Sequence, residues 1–258
     1  MLAFLGKSIY NKKVCVKNGY LIQKSKKMVK LKTEEKMKKN LKKVIAMLGM
    51  ACMLTSVTAC QQKFDAAGYV ESYADANYKG EFDKYAELCK VDASEAEKVY
   101  DENVESIVTS LAAGMEFDDE MKEKYTSLVK ELLGKVKYTV EDDVEYKDGE
   151  YTVKVKTERL NFVMDTEKAY KLGQDIGKEA AEEYLKEHKK IDQSEYTEFL
   201  EKKVVEALYE YFGDLVENAA YDEEETIEIT VANNSDGLYA MSETEASEFD
   251  NALIKVAN

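Results

Sequence analysis

The chain has 258 residues and a formal net charge of −15, and the charge is unevenly divided. Residues 1–59 carry 14 Lys and 2 Glu, whereas the 199 residues from Cys60 onward carry 23 basic and 50 acidic side chains. Nucleic-acid binding needs clustered Lys and Arg that release counterions, so this acidic body, with Arg159 as its single arginine, excludes nucleic acid as a partner. The 18 Tyr and the regular apolar spacing exclude a disordered polyanion.

A charged stretch, Met37–Lys43 (MKKNLKK), precedes a 14-residue apolar run, Val44–Val57. The run is shorter than the ~20 residues a transmembrane helix needs, and small residues follow it, so it has the layout of a secretory signal. Val57, Thr58 and Ala59 lead into Cys60. This segment resembles the bacterial lipoprotein signal with its lipobox, with Val at position 57 where Leu is commoner. The resemblance implies cleavage before Cys60 and a diacylglyceryl group on its sulfur. The expected location is then the extracytoplasmic face of the cell membrane, with the bilayer as partner through the anchor. Two acyl chains are enough for stable anchoring. Residues 1–36 do not fit a signal and are read as an extension before a start at Met37 or Met28. Residues 37–59 are the signal peptide, 60–64 the lipidated Cys and a short tether, and 65–258 an acidic α+β domain. Cys15 and Cys52 precede the cut, which leaves Cys89 as an expected buried, unpaired thiol.

In chain order, Asp65 caps a helix with Tyr69, Tyr73 and Ala76 inward, ended by Gly80. A short helix with Tyr85 and Cys89 inward follows. Asp92 opens a long helix to about Ala113, closed by Gly114, and Asp118 opens another that closes at Gly134. The period then changes to two. Two alternating runs flank Lys147-Asp148-Gly149, a hairpin signal, with Tyr151, Val153 and Val155 on one face. Asp165 caps a helix to about His188, and Ser194 caps one to about Asn218. Alternation returns at Ile227, Ile229 and Val231, and a turn over Asn233–Gly237 leads to a pairing strand. The tail Glu245–Ile254 reads as a short helix or an edge segment.

The order helices, hairpin, helices, hairpin predicts an α+β fold with helices packed on one face of a four-stranded antiparallel sheet. It resembles the NTF2-like (cystatin-like) domains of unknown function in lipoproteins of Gram-positive anaerobes. The resemblance is carried by AAGYVESYADANYKGEFDKY, VKYTVEDDVEYKDGEYTVKVKTE and DGLYAMSETEASEFDNAL. Tyr239 stands about where such proteins often have Trp. The resemblance implies a pocket between sheet and helices and no particular activity.

The chemistry-bearing residues are sparse. His188 is the single histidine, at a helix end where it can face the dipole. With one unpaired Cys beside it, no common zinc site can be built, and no metal or cofactor is expected. The Asn233–Gly237 turn fails as a calcium loop because Ala232 stands at the first ligand position. The acidic clusters Asp142-Asp143 and Asp222–Glu225 follow no ligand spacing. There is no phosphate loop or nucleophile elbow, and no catalytic residue is assigned. Tyr69, Tyr73, Tyr138, Tyr151 and Tyr170 fall on inward faces, where they pack the core or could line a pocket. The expected function is a non-catalytic binding module for a small ligand or an envelope protein. The alternatives are an enzyme using the pocket of the fold and, less favoured for want of βαβ alternation, a transporter's solute receptor.

Overall fold

The computed structural model describes residues 64–112, 117–163, 165–188, 192–233 and 238–255. The expectations for residues 1–63, including the lipobox and Cys60, for Gly114 and for most of the Asn233–Gly237 turn lie outside the described residues.

Seven α-helices form among the described residues: α1 (Ala66–Ala74), α2 (Asp83–Cys89), α3 (Ala93–Leu111), α4 (Asp119–Gly134), α5 (Thr166–Glu187), α6 (Gln193–Glu217) and α7 (Glu243–Leu253). Six of them open on a side-chain cap, from Asp65, Asp92, Asp118, Asp165, Asp192 and Ser242. Each cap oxygen accepts a backbone N–H that has no partner inside its helix. Asp192, not Ser194, caps α6, because its carboxylate accepts from the amides of both Ser194 and Glu195. A single π-helical turn, Asp75–Lys79, continues α1 and ends at Gly80, whose φ of 70° is left-handed.

Strands β1 (Lys137–Lys147), β2 (Glu150–Glu158), β5 (Glu225–Asn233) and β6 (Tyr239–Ala240) make one antiparallel sheet in the order β1-β2-β5-β6. The β1–β2 hairpin turns at Asp148 and Gly149, both at positive φ, as the Asp-Gly pair predicts. On the apolar face Val153 lies opposite Ile229 and Tyr151 opposite Val231. Val153, Val155, Ile229 and Val231 are fully buried there, each contributing roughly 1.5–3 kcal/mol. Helices α1 and α7 pack on this sheet. The other face carries Thr152, Lys154 and Lys156, all half-buried, and the two lysines pair with carboxylates of β1: Lys156 with Glu141 at 3.0 Å and Lys154 with Glu145 at 4.0 Å.

Three features go beyond the sequence expectation. Between Val140 and Val144 the register of β1 slips, so that Glu141, Asp142 and Asp143 face Lys154 alone. The acidic pair therefore sits in a bulge within the strand, not at its end. A second sheet joins β3 (Leu160–Asn161) to β4 (Ala220–Tyr221) antiparallel and to β7 (Ile254–Lys255) parallel. Two-residue strands have no periodicity to detect. Cys89, buried at the end of α2, is disulfide-bonded, which corrects the expectation of an unpaired thiol.

Candidate functional site

A cluster of buried polar groups lies between α1, its π turn and α7. Helix α1 needs an apolar face, and Tyr69, Val70, Tyr73 and Ala74 supply it. The wider π turn then lets both Ala76 and Tyr78 point inward. From α7, Ala246, Phe249, Ala252 and Leu253 form the apolar stripe, and Asp250 falls within it. Asp250 is 4% exposed. Its Oδ1 accepts a 2.7 Å hydrogen bond from the Tyr78 hydroxyl, while Oδ2 has no partner among the described residues.

Burial dominates the acidities. Desolvation pushes the Asp250 carboxyl up to about 7, against the smaller opposing effect of the Tyr78 hydrogen bond. Desolvation followed by the Asp250 charge pushes the Tyr73 and Tyr78 phenols far up, and Tyr69 rises to about 12. The Tyr73 hydroxyl and Thr157 Oγ1 are also without a partner among the described residues. Outside this cluster the Tyr138 hydroxyl donates to Asp75, which also holds Lys79 at 2.8 Å, and the Lys79 ammonium lies 4.4 Å above the Tyr138 ring.

The predicted tyrosines separate into two groups. Tyr69 and Tyr73 belong to the deep cluster, with rings against Tyr85 and Phe249 respectively. Tyr138 lies at its rim, half-buried. Tyr151 lies at the hairpin end of the sheet, against Tyr146 at 4.6 Å and Tyr239 at 5.1 Å. Phe64 stacks on Tyr239 at 4.8 Å and leans on Tyr69 and Tyr151 at 5.8 Å each. It therefore joins the two groups. Tyr170 lies in α5, and its side chain is outside the described residues. Asp250 escaped the sequence reading because the tail was left between helix and edge strand. Ser242-x-x-Glu245 ahead of an apolar stripe is a helix-start signature, and it would have placed Asp250 on the inward face.

The deep cluster can hold a proton on Asp250 at neutral pH and donate hydrogen bonds from phenols. It presents neither to solvent, because Tyr69, Tyr73, Tyr78, Tyr85 and Phe249 are each at most 2% exposed. Other chemistry-bearing residues are accounted for singly. His188 caps the C-terminus of α5 and stacks on Tyr184 at 4.1 Å. Asp222 accepts from Arg159 Nε at 2.8 Å and from Asn161 at 2.6 Å, which with the Arg159 charge hold its carboxyl below the ordinary range. No group of three or more His, Cys, Asp or Glu side chains among the described residues is arranged to hold a metal ion. A groove on α4 lined by Asp119, Lys122, Glu123, Thr126 and Ser127 is open and polar, unlike the enclosed apolar clefts that bind small molecules.

No family model matches the sequence, and no curated protein matches it. Among solved structures the chain is similar to ycdA, a candidate lipoprotein of Bacillus subtilis, at 17% identity and a TM-score of 0.42. The likeness covers 74% of this chain and 56% of ycdA, so this chain spans little more than half of the structure it matches.

Proposed function

We propose that the chain is an exported lipoprotein, held by a diacylglyceryl group on Cys60, whose α+β body is a non-catalytic binding module outside the cell membrane. The observation that carries this reading is the signal ending in Val57-Thr58-Ala59-Cys60, with Cys60 four residues before Phe64, the first described residue, which stacks on Tyr239. No helix among the described residues is long and apolar enough to cross a membrane, so attachment would fall to the acyl chains. The polar face of the β1-β2-β5 sheet, with Lys154 and Lys156 paired to Glu145 and Glu141, offers an envelope protein a charged surface.

The deep cluster favours a second reading, an enzyme of NTF2-like type. Buried polar groups with displaced acidities are what active sites contain. Its burial speaks against that reading, because a substrate would have to displace core tyrosines to reach Asp250.

Cell fractionation of a Cys60→Ser variant, with the intact mass of the unmutated mature protein, tests the anchor. The expected result is loss of the variant from the membrane fraction and a mature chain that begins at Cys60 and carries the lipid mass. One thiol cannot be both acylated and disulfide-bonded. A mature chain with Cys60 joined to Cys89, or one retaining residues 37–59, overturns the reading.

A further inference from the structure

The hairpin end of the sheet carries the most exposed large hydrophobic side chain of the described residues, Tyr146, at 59% exposure. It is not an isolated ring. Tyr146 lies opposite Tyr151 in the β1–β2 register, beside the Lys147–Gly149 turn. Its ring packs on Tyr151 at 4.6 Å, Tyr151 packs on Tyr239 at 5.1 Å, and Tyr239 stacks on Phe64 at 4.8 Å. An aromatic cluster thus runs from the hairpin tip to Phe64, with Tyr146 exposed, Tyr239 and Phe64 half-buried and Tyr151 buried beneath them.

Phe64 follows Cys60 by four residues. Four residues reach at most ~3.6 Å each when extended, or about 14 Å in all. A lipid on Cys60 would hold this end of the sheet within that distance of the headgroups, and the opposite end would lie a strand length further away. Tyrosine suits that position, because its ring is apolar and its hydroxyl stays wet, which is why it concentrates at membrane interfaces. The charges at the tip argue against electrostatic attraction. Glu145, Asp148 and Glu150 outnumber Lys147, so an anionic leaflet repels the tip, and contact has to come from the rings and the short tether.

We infer that exposed Tyr146, with the partly exposed rings of Tyr239 and Phe64 and with Tyr151 packed beneath, is a bilayer-docking face, which seats the tip of the β1–β2 hairpin in the headgroup region and orients the domain upright on its anchor. This rests on the lipid-anchor reading of Cys60 and goes beyond it by fixing an orientation.

The chain contains no tryptophan, so a single introduced one is an unambiguous reporter. The full chain, processed in a bacterial host, is reconstituted into phosphatidylcholine vesicles with bromines on the upper acyl carbons, as Tyr146→Trp or as Lys137→Trp. Lys137 begins β1, nine residues before Tyr146, or about 25–30 Å away along the strand. Flotation with the vesicles reports the anchor, and bromine quenching reports docking. The expected result is flotation of both variants with roughly twofold quenching at position 146 and none at 137, as for a ring at headgroup depth. Flotation without quenching at 146 overturns the docking face and leaves the anchor standing. Equal quenching at both positions overturns the upright orientation. Failure of both variants to float overturns the anchor, and the docking face with it. As a second measurement, trypsin cleavage after Lys147 should slow on vesicles in the protein with Tyr146 intact and recover in Tyr146→Ser. Equal cleavage of the two proteins on vesicles counts against docking.

Discussion

Asp250 is a stability switch whose sign can be worked out. Its carboxyl is pushed up to about 7 in the folded protein, mainly by burial, against an ordinary value of about 3.9 in the unfolded chain. The folded state therefore holds the proton to a higher pH than the unfolded state does. The stability tied to that proton is fully present below about pH 4, falls between 4 and 7, and is gone above 7. A gap of about three pH units corresponds to roughly 4 kcal/mol at the upper limit. Asp250→Asn is a neutral near-isostere, and its carbonyl can still accept from the Tyr78 hydroxyl. At pH 8 the variant should be more stable than the original protein by roughly 2–4 kcal/mol, a gain of about 5–15 °C in Tm for a domain of this size. At pH 5.5, where about half of the penalty has been removed, the gap should be about 2 kcal/mol smaller. Urea titrations of both purified proteins at the two pH values measure the difference. Repulsion within the acidic body affects both proteins alike and cancels. An unchanged gap between the two pH values, or an Asn variant less stable at pH 8, would refute the argument that the carboxylate is buried at a cost.

Two phenylalanine substitutions should separate the tyrosines around that carboxyl. Tyr73→Phe removes a buried hydroxyl that has no partner among the described residues and should leave stability unchanged or raise it by up to ~1 kcal/mol in urea titration. Tyr78→Phe takes away the donor to Asp250 and should cost ~1–3 kcal/mol in the same assay, with the larger loss at alkaline pH. Gly149→Ala places a Cβ at φ 95° in the hairpin turn and should cost ~1–2 kcal/mol, read by denaturation and by faster amide exchange in β1 and β2.

Long elements were the most legible in the sequence. The helices opened by Asp92, Asp118 and Asp165 start where those carboxylates predict, because an unsatisfied N-terminal amide needs an acceptor in one particular place. The Asp-Gly turn fixed the β1–β2 register, and pairing of the second hairpin beside the first followed from the one-sided apolar pattern of both. The slip between Val140 and Val144 was not legible, since an acidic bulge and an acidic strand face read alike in a sequence. The β3-β4-β7 sheet joins segments far apart in the chain through two residues each, and pairing at that range leaves no local mark. For the candidate site, the inward faces of Tyr69 and Tyr73 were readable from helical spacing. Their link to Tyr151 through Phe64, and the arrival of Asp250 from α7, depend on tertiary packing alone.

The Tyr78–Asp250 bond spans 172 positions, and Leu160 pairs in parallel with Ile254. A polypeptide delivered N-terminus first, whether from a ribosome or through a translocation channel, therefore cannot close this interior until residues beyond 250 have emerged. Until then Tyr78 lacks its acceptor and Tyr73 lacks its Phe249 neighbour. The contacts that α7 and β7 make with the front of the domain therefore form last in N-to-C delivery.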